Sequence, residues 1–513
     1  MSHAKCDPAS EYANELDAAT KALGAHRSDL ESLLAYILAK PVSRPQLSRL
    51  LRQSWFRLNA LRACCADLSK RTKFDPAVTA LIDSVHHALQ AGKALSFDTA
   101  SQALGKARAG LGKNEAPTLL SHLQGAQALI AAIAQDHHRA ATLYANAAVQ
   151  AGEDTSLQWR YHSQQAAILA DLGREFADDT ALQQSIDLYE TTVLPLVPEA
   201  QRPKDWATTQ HDLGNALGIF AQRQRGTGML EKAIRTFEAA LTKRPRLQLP
   251  LEWAQTQNSL GNALGILGQR QKDTQMLERS RQAFESALEE YTQAQSPHEW
   301  ASTQNNLGAI LLALGQQKND ARLLKEAVEA YKQVLQEWGR DRVPLDWAAT
   351  LDHLGTALRL LGEKRKGSQT LKQSVAAYHN ALAERTRERV PQEWAMTQNN
   401  LGTALHKLGE REGHTQTLEQ AMTAFENALL EWPQEKLPMT WAMTMANLAS
   451  TQKILAELLE DANTAEKALA RFQSVAQVFR NASHAQYYEF ATEQVAITRK
   501  VVDALGGDWQ KQR

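Results

Sequence analysis

Tryptophan recurs in this chain at 159, 206, 253, 300, 347, 394 and 441, and every step is 47 residues (206 − 159 = 47, and so on to 441 − 394 = 47). Around each tryptophan the wording is nearly copied, most cleanly from Trp300 to Gly308, WASTQNNLG. Self-similarity at a fixed period of this size predicts an array of like units, each packed only on its neighbours, so the length of 513 residues does not have to be divided into several globular domains.

The punctuation inside a unit predicts a helical hairpin. Proline stands three residues before the tryptophan at 203, 250, 297, 344, 391 and 438, and an acid often precedes the tryptophan, as at Asp205, Glu252, Glu299, Asp346 and Glu393. Proline suits a first helical turn and carboxylates there complement the helix dipole, so a helix starts at each proline. Gly268, Gly315, Gly362 and Gly409, at offset +15 from the tryptophan, are expected to take the left-handed conformation that ends that helix. Thr227, Thr274, Ser368 and Thr415, at +21, are expected N-caps of a second helix carrying Leu230, Ala233 and Phe237, or Leu324, Ala327 and Tyr331 in a later unit.

Projected at 100° per residue, the tryptophan, leucine at +7, leucine at +11 and an apolar residue at +14 fall together and predict the buried seam of the first helix. Alanine at +1, glycine at +8 and mostly alanine at +10 flank it and let neighbouring helices approach. The face at +2, +5, +6, +9, +12 and +13 is left open. On it stand Asn215, Asn258, Asn262, Asn305, Asn306, Asn399, Asn400 and Asn447, with Asp352 where asparagine stands elsewhere. Side-chain amides both donate and accept, so a ladder of them can pair with the backbone of an extended peptide. Asparagine is a poorer helix former than lysine or glutamate, and its repeated use therefore asks for a compensating role. Toward the carboxyl end the same face gains Arg359, His406, Lys407 and Lys453, which predicts a preference there for acidic groups.

Residues 1–115 lack the period and read as an amino-terminal helical region. Leu47, Leu50, Leu51, Leu58, Leu61, Cys65 and Leu68 mark one apolar helix face. Lys40, Arg44, Arg49, Arg52, Arg57, Arg62, Lys70, Arg71 and Lys73 surround it against Asp67 alone, a charge asymmetry in a chain whose 57 basic and 57 acidic residues otherwise cancel. Arg49, Arg52, Arg57 and Arg62 are the candidate basic docking patch, although their spread around the helix argues for an ordinary solvated face and no nucleic-acid partner is expected. Residues 116–158 form a short unit with Ala128, Ala140, Tyr144 and Ala147. Residues 159–480 hold seven 47-residue repeats, the first divergent, with Gly173 and Tyr189 each one position early, and 481–513 a capping helix and a tail, loose after Gly507.

Cys6, Cys64 and Cys65 make no disulfide framework or metal spacing, His86-His87 and His137-His138 point apart on their helices, and no metal or cofactor is expected. The amino-terminal MSHAKCDPASEY has no apolar signal core and no run is long enough to span a membrane, which predicts a cytoplasmic protein. His211-Asp212 and Asp352-His353 fall at the asparagine positions of the open face and read as surface variation, so no enzyme is expected.

Trp206, Leu213-Gly214, Ala233, Phe237 and Ala240 resemble the landmarks of the tetratricopeptide repeat family, in a unit enlarged by about seven residues between the glycine and the following alanine. The resemblance covers roughly residues 117–480. It implies an all-α, right-handed superhelical solenoid of antiparallel helix pairs whose first helices line a concave groove. It further implies a scaffold or adaptor that binds a protein or peptide partner there, and it is compatible with self-association. The wording PxxWAxTQNNLGxAL is similar to arrays in bacterial proteins that accompany effector domains such as a caspase-like peptidase or a nucleotidase. This supports a second expectation, a sensor or regulatory subunit of a signalling or defence module acting with a separate effector.

Overall fold

A computed structural model describes residues 12–38, 42, 44–71, 76–89, 97–111, 117–224 and 226–507; Cys6, Lys40, Lys73, the amino-terminal stretch 1–11 and the tail 508–513 lie outside them. The described residues are helical throughout, with no strand among them. Contacts divide the chain into two units, Met1–Asn306 with Asp341–Val343, and Leu307–Arg340 with Pro344–Arg513.

The first unit opens with α1 (Ala13–Leu23), α2 (Arg27–Ile37), α3 (Arg44–Arg71), α4 (Pro76–Ala88), α5 (Phe97–Gly110) and α6 (Pro117–Ile133). Leu50, Leu51, Leu58, Leu61 and Cys65 of α3 share one core with Leu123, Ala126, Ile130 and Ile133 of α6, so the aperiodic helices are packed onto the start of the array. Then come α7 (His137–Gln150), α8 (Thr155–Phe176), α9 (Asp179–Leu188), α10 (Pro203–Arg223), α11 (Gly228–Thr242), α12 (Pro250–Gln271), α13 (Thr274–Leu288) and the start of α14 (Pro297–Gln317). The divergent unit loses one residue before Gly173, and a π-helical turn at Tyr189–Val193 inserts the residue that restores the register by Trp206.

The second unit holds α15 (Ala321–Glu337), α16 (Pro344–Glu363), α17 (Gln369–Leu382), α18 (Pro391–Glu412), α19 (Thr415–Leu429), α20 (Pro438–Leu459), α21 (Ala462–Asn481) and α22 (Ala485–Ala504). From α16 onward the helices of each pair are in extensive contact, and the second helix of one pair packs on the first helix of the next.

Every expected proline begins a first helix. The glycines at +8 are where the two helices of a pair touch: a Cβ on Gly261 would lie 2.9 Å from the Phe284 ring, and one on Gly355 2.8 Å from Tyr378. Three expectations are corrected. The glycines at +15 lie inside the helices, where a Cβ on Gly268 would come within 2.9 Å of Leu277. The left-handed positions fall four residues later, at Lys272, Asn319, Gly413 and Glu460. The N-cap lies one residue earlier than expected in two units, where Asp273 accepts from the amides of Gln275 and Met276 and His414 precedes α19; Thr227 and Ser368 hold the expected position.

The third correction concerns the seam. Leucine at +7 and +11 is buried, as at Leu213 and Leu217, but the tryptophans are only half-buried. Each stands in the first turn of its helix, near the connecting loop, where angular projection says nothing about cover along the axis. Arginines from the preceding loops lie over the rings instead: Arg246 over Trp253 at 5.1 Å, Arg340 over Trp347 at 5.9 Å and Arg387 over Trp394 at 5.7 Å. The same arginines pair with a glutamate 44 residues on, Arg246 with Glu290, Arg340 with Glu384 and Arg387 with Glu431. Each loop is thus pinned to the next.

Candidate partner-binding face

The open face of the first helices is narrower than projection suggests. Offsets +9 and +2 lie at its centre, while +5 and +6 lie near its edges and are partly covered by the next helix. His211 and Asp352, both at +5, are buried. The expectation that they vary a surface is therefore wrong, and each sits in a polar network.

In the first unit, Asn215 Nδ2 lies 3.0 Å from His211 Nε2, and Asn258 Oδ1 accepts from Thr303 Oγ1 at 3.2 Å. Burial, reinforced by the nearby Arg244 guanidinium, pushes His211 down to about 3. Burial pushes Asp212 up to about 6, against the pull of Arg244. Arg244 is itself buried and donates to the Glu252 carbonyl at 3.1 Å and to Thr256 Oγ1 at 2.7 Å. Asn262 is exposed and Asn306 half-buried, and among the described residues neither amide has a hydrogen-bond partner. These two, with Asn215, line an open pocket of about 350 Å³. Its floor is Gly214, Gly218 and Ala263, its apolar sides Ile219, Ile266, Leu230 and Phe237, and Arg174, Gln222 and Ser259 complete it. A Cβ on Gly218 would meet nothing within 4 Å, so the absent side chain there is open space. Asn258 and Asn305 are half-buried and outside the pocket lining.

In the second unit the expected residues are largely engaged by the chain itself. Asp352 accepts from Asn400 Nδ2 at 3.1 Å and lies 3.7 Å from the buried Arg385. Arg359 pairs with Glu363 at 2.5 Å and Lys407 with Glu410 at 2.9 Å, so neither is a free cation. His406 Nδ1 is 2.9 Å from Thr451 Oγ1, and burial, with Lys407 and Lys453 beside it, pushes the ring down to about 4. Asn399 is half-buried and its Oδ1 has no hydrogen-bond partner among the described residues; Asn447 is exposed. The expected acid-seeking end of the groove thus reduces to Lys453.

The basic patch turns inward. Arg49 pairs with Glu175 at 2.5 Å, and Arg57 with Asp171 at 2.6 Å while also donating to the Ala132 carbonyl. Arg62 pairs with Asp29 at 3.0 Å, and Arg52 contacts the His298 ring. An amphipathic helix read alone cannot show that two of its arginines, Arg49 and Arg57, meet carboxylates more than 100 residues away. All four candidate docking residues are engaged within the chain as ties of α3.

Two further positions carry the array and were not singled out from the sequence. Threonine at +3, as in Thr209, Thr256, Thr350 and Thr397, is buried and donates to the carbonyl four residues before it. A base at +17 caps the previous first helix: Arg270 donates to the carbonyls of Gln222, Gln224 and Gly226, and Arg411 to those of Gly362, Glu363 and Gly367. The signal was available in the 47-residue recurrence of Arg223, Arg270, Lys364 and Arg411.

Among the described residues there is no group of three or more side chains that could hold a metal, and no helix is long and apolar enough to cross a membrane. A family model described as tetratricopeptide repeat matches residues 300–337. The chain is similar to the crystal structure of a Rap protein complexed with Competence and Sporulation Factor, at 10% identity and a TM-score of 0.35, over 84% of this chain and 98% of that one. It is also similar to a circular tandem repeat protein with novel repeat topology and enhanced subunit contact surfaces, at 13% identity and a TM-score of 0.23, over 88% of this chain and 98% of that one. No curated protein matches it.

Proposed function

We propose that this chain, in which residues 300–337 match the tetratricopeptide repeat model, is a protein-interaction scaffold that holds a segment of a partner protein against the open face of its first helices. The observation that carries this reading is the pocket of the first unit. Two amides with no hydrogen-bond partner among the described residues, Asn262 and Asn306, line the pocket with apolar side chains and Gly218, where space is open. Leaving such amides unused while the neighbouring Asn215 and Asn258 are engaged within the chain supports a role toward something outside it. A peptide backbone supplies both a donor and an acceptor at each residue and suits amide side chains.

The test is affinity capture from the native host with the wild type, with Gly218→Leu and with Asn262→Ala/Asn306→Ala, read by quantitative mass spectrometry. A Cβ at 218 meets nothing within 4 Å, so leucine there is expected to fill the pocket with the array still folded, which helical circular dichroism checks. A partner recovered by the wild type and lost from both variants is the expected result. Equal recovery of every protein by all three removes the pocket from the function.

A further inference from the structure

The second unit carries an exposed apolar row that the asparagine ladder does not explain. Met396 and Met443 stand at offset +2 of α18 and α20. Tyr488 falls 47 residues after Trp441 (488 − 441 = 47), so α22 is a first helix in register and Phe490 is its +2 residue. All three are exposed, at 40%, 48% and 44%. The same offset in the first unit holds Thr208, Gln255 and Ser302, with the buried Tyr161 in the divergent repeat, so exposed apolar character here is particular to the second unit. The helices are neighbours, α18 touching α20 and α20 touching α22, which makes the three side chains successive rungs.

Spacing and charge say what fits. Packed helices lie about 8–10 Å apart, and a helix laid across them returns to the same face every seven residues, about 10.5 Å. A β-strand returns every two residues, about 6.6 Å, and misses alternate rungs. At +12, ten residues or about 15 Å farther along, α20 and α22 carry Lys453 and Lys500 while α18 has the uncharged His406, a separation that leaves room for a helix about 10–12 Å across. Lys453 and Lys500 have no ion-pair partner among the described residues. Between these offsets on α18, α20 and α22 the carboxylate present is Glu493, so the strip is net positive.

We propose that Met396, Met443 and Phe490 form a docking surface for an amphipathic α-helix of a partner protein, with apolar residues at i, i+7 and i+14 on the rungs and an acidic flank toward Lys453 and Lys500. This surface is separate from the pocket in the first unit.

The probe is a fluorescein-labelled peptide about 20 residues long, with leucine at i, i+7 and i+14, glutamate on one flank, and alanine and glutamine elsewhere. Anisotropy is followed with the full-length protein. The expected result is saturable binding, weakened about tenfold or more by Met443→Gln/Phe490→Gln and weakened in a salt-dependent way by Lys453→Gln/Lys500→Gln. Asn262→Ala/Asn306→Ala binds the probe as wild type does, so the outcome is independent of the pocket. Equal binding of a peptide with the leucines scrambled overturns the proposal, as does preference for a proline-rich peptide with leucine at every third residue. Self-association abolished by Phe490→Gln would assign the rungs to a second copy of this chain and overturn it too. Helical circular dichroism of each variant, whose replaced side chains are in solvent, checks the fold.

Discussion

Tyr331 and Tyr378 occupy the same offset, +31, in consecutive units, yet their hydroxyls have different fates. Both rings are buried against the +8 glycine of their own unit, Gly308 and Gly355. Tyr378 Oη lies 2.9 Å from Thr356 Oγ1, at +9. The +9 residue of the other unit is Ala309, and Tyr331 Oη is buried with no hydrogen-bond partner among the described residues. Burying a hydroxyl without a partner costs about 1–3 kcal/mol, whereas a made hydrogen bond contributes only about 0.5–1.5 kcal/mol net. Tyr331→Phe should therefore stabilise the second unit by about 1 kcal/mol or more, and Tyr378→Phe should destabilise it by about 1 kcal/mol. Ala309→Thr supplies the missing partner at a helix-propensity cost of about 0.5 kcal/mol, so it should be neutral or stabilising beside the native tyrosine and destabilising when combined with Tyr331→Phe. The predicted coupling between the two sites is about 1 kcal/mol or more. Urea midpoints of the four combinations, with amide hydrogen exchange in α15 and α16 to localise the change within the array, measure it. A lower midpoint for Tyr331→Phe, matching that of Tyr378→Phe, would show that the Tyr331 hydroxyl is satisfied and that the offset comparison misleads.

Three other outcomes are expected. His406 holds its proton more weakly folded, at about 4, than the usual 6.5, so between those values the unfolded chain binds more protons; stability present above pH 6.5 is lost as pH falls toward 4 by about 2–3 kcal/mol, and His406→Gln should flatten that part of the stability–pH curve. Arg270→Met removes donors to three carbonyls at the end of α10 and should cost about 1–2 kcal/mol with faster hydrogen exchange there, while Arg270→Lys keeps the charge but not the fork and should recover part of it. Gly261→Ala should destabilise by about 1–3 kcal/mol because its methyl meets the Phe284 ring, whereas Gly218→Ala, facing open space, should stabilise by about 0.5–1 kcal/mol; thermal midpoints that move together would refute the distinction between packing and pocket glycines.

The fold is legible because a period multiplies weak signals. One Pro-x-x-Trp says little, but six copies at 47 residues fix where each first helix starts, and the prolines of α10, α12, α14, α16, α18 and α20 stand at those places. Where the pattern misleads, it does so in the dimension a helical wheel omits. A wheel gives the angle of a residue, and Trp253 and Leu260 nearly share one; it does not give height along the axis, and Leu260 is buried while Trp253, in the first turn, is only half-buried. The glycines at +15 mislead for a related reason. Glycine permits both a left-handed cap and a close approach, and only the position of Leu277 against Gly268 decides between them.

The site is less legible because hydrogen bonding between units is invisible to residue type. Asparagine on the open face is one letter in the sequence but several roles in the structure. Asn400 donates to a buried carboxylate, Asn258 accepts from the next repeat's threonine, and Asn262 and Asn306 line the pocket. A uniform ladder would grip a backbone anywhere along the array. On the proposed reading, a ladder engaged at some rungs and open at others would confine recognition to the open ones, while the engaged side chains tie one helix to the next. In the second unit Asn400 is likewise engaged, by Asp352, and the +2 residues Met396, Met443 and Phe490 are exposed, so the two units present different side chains on one repeated scaffold.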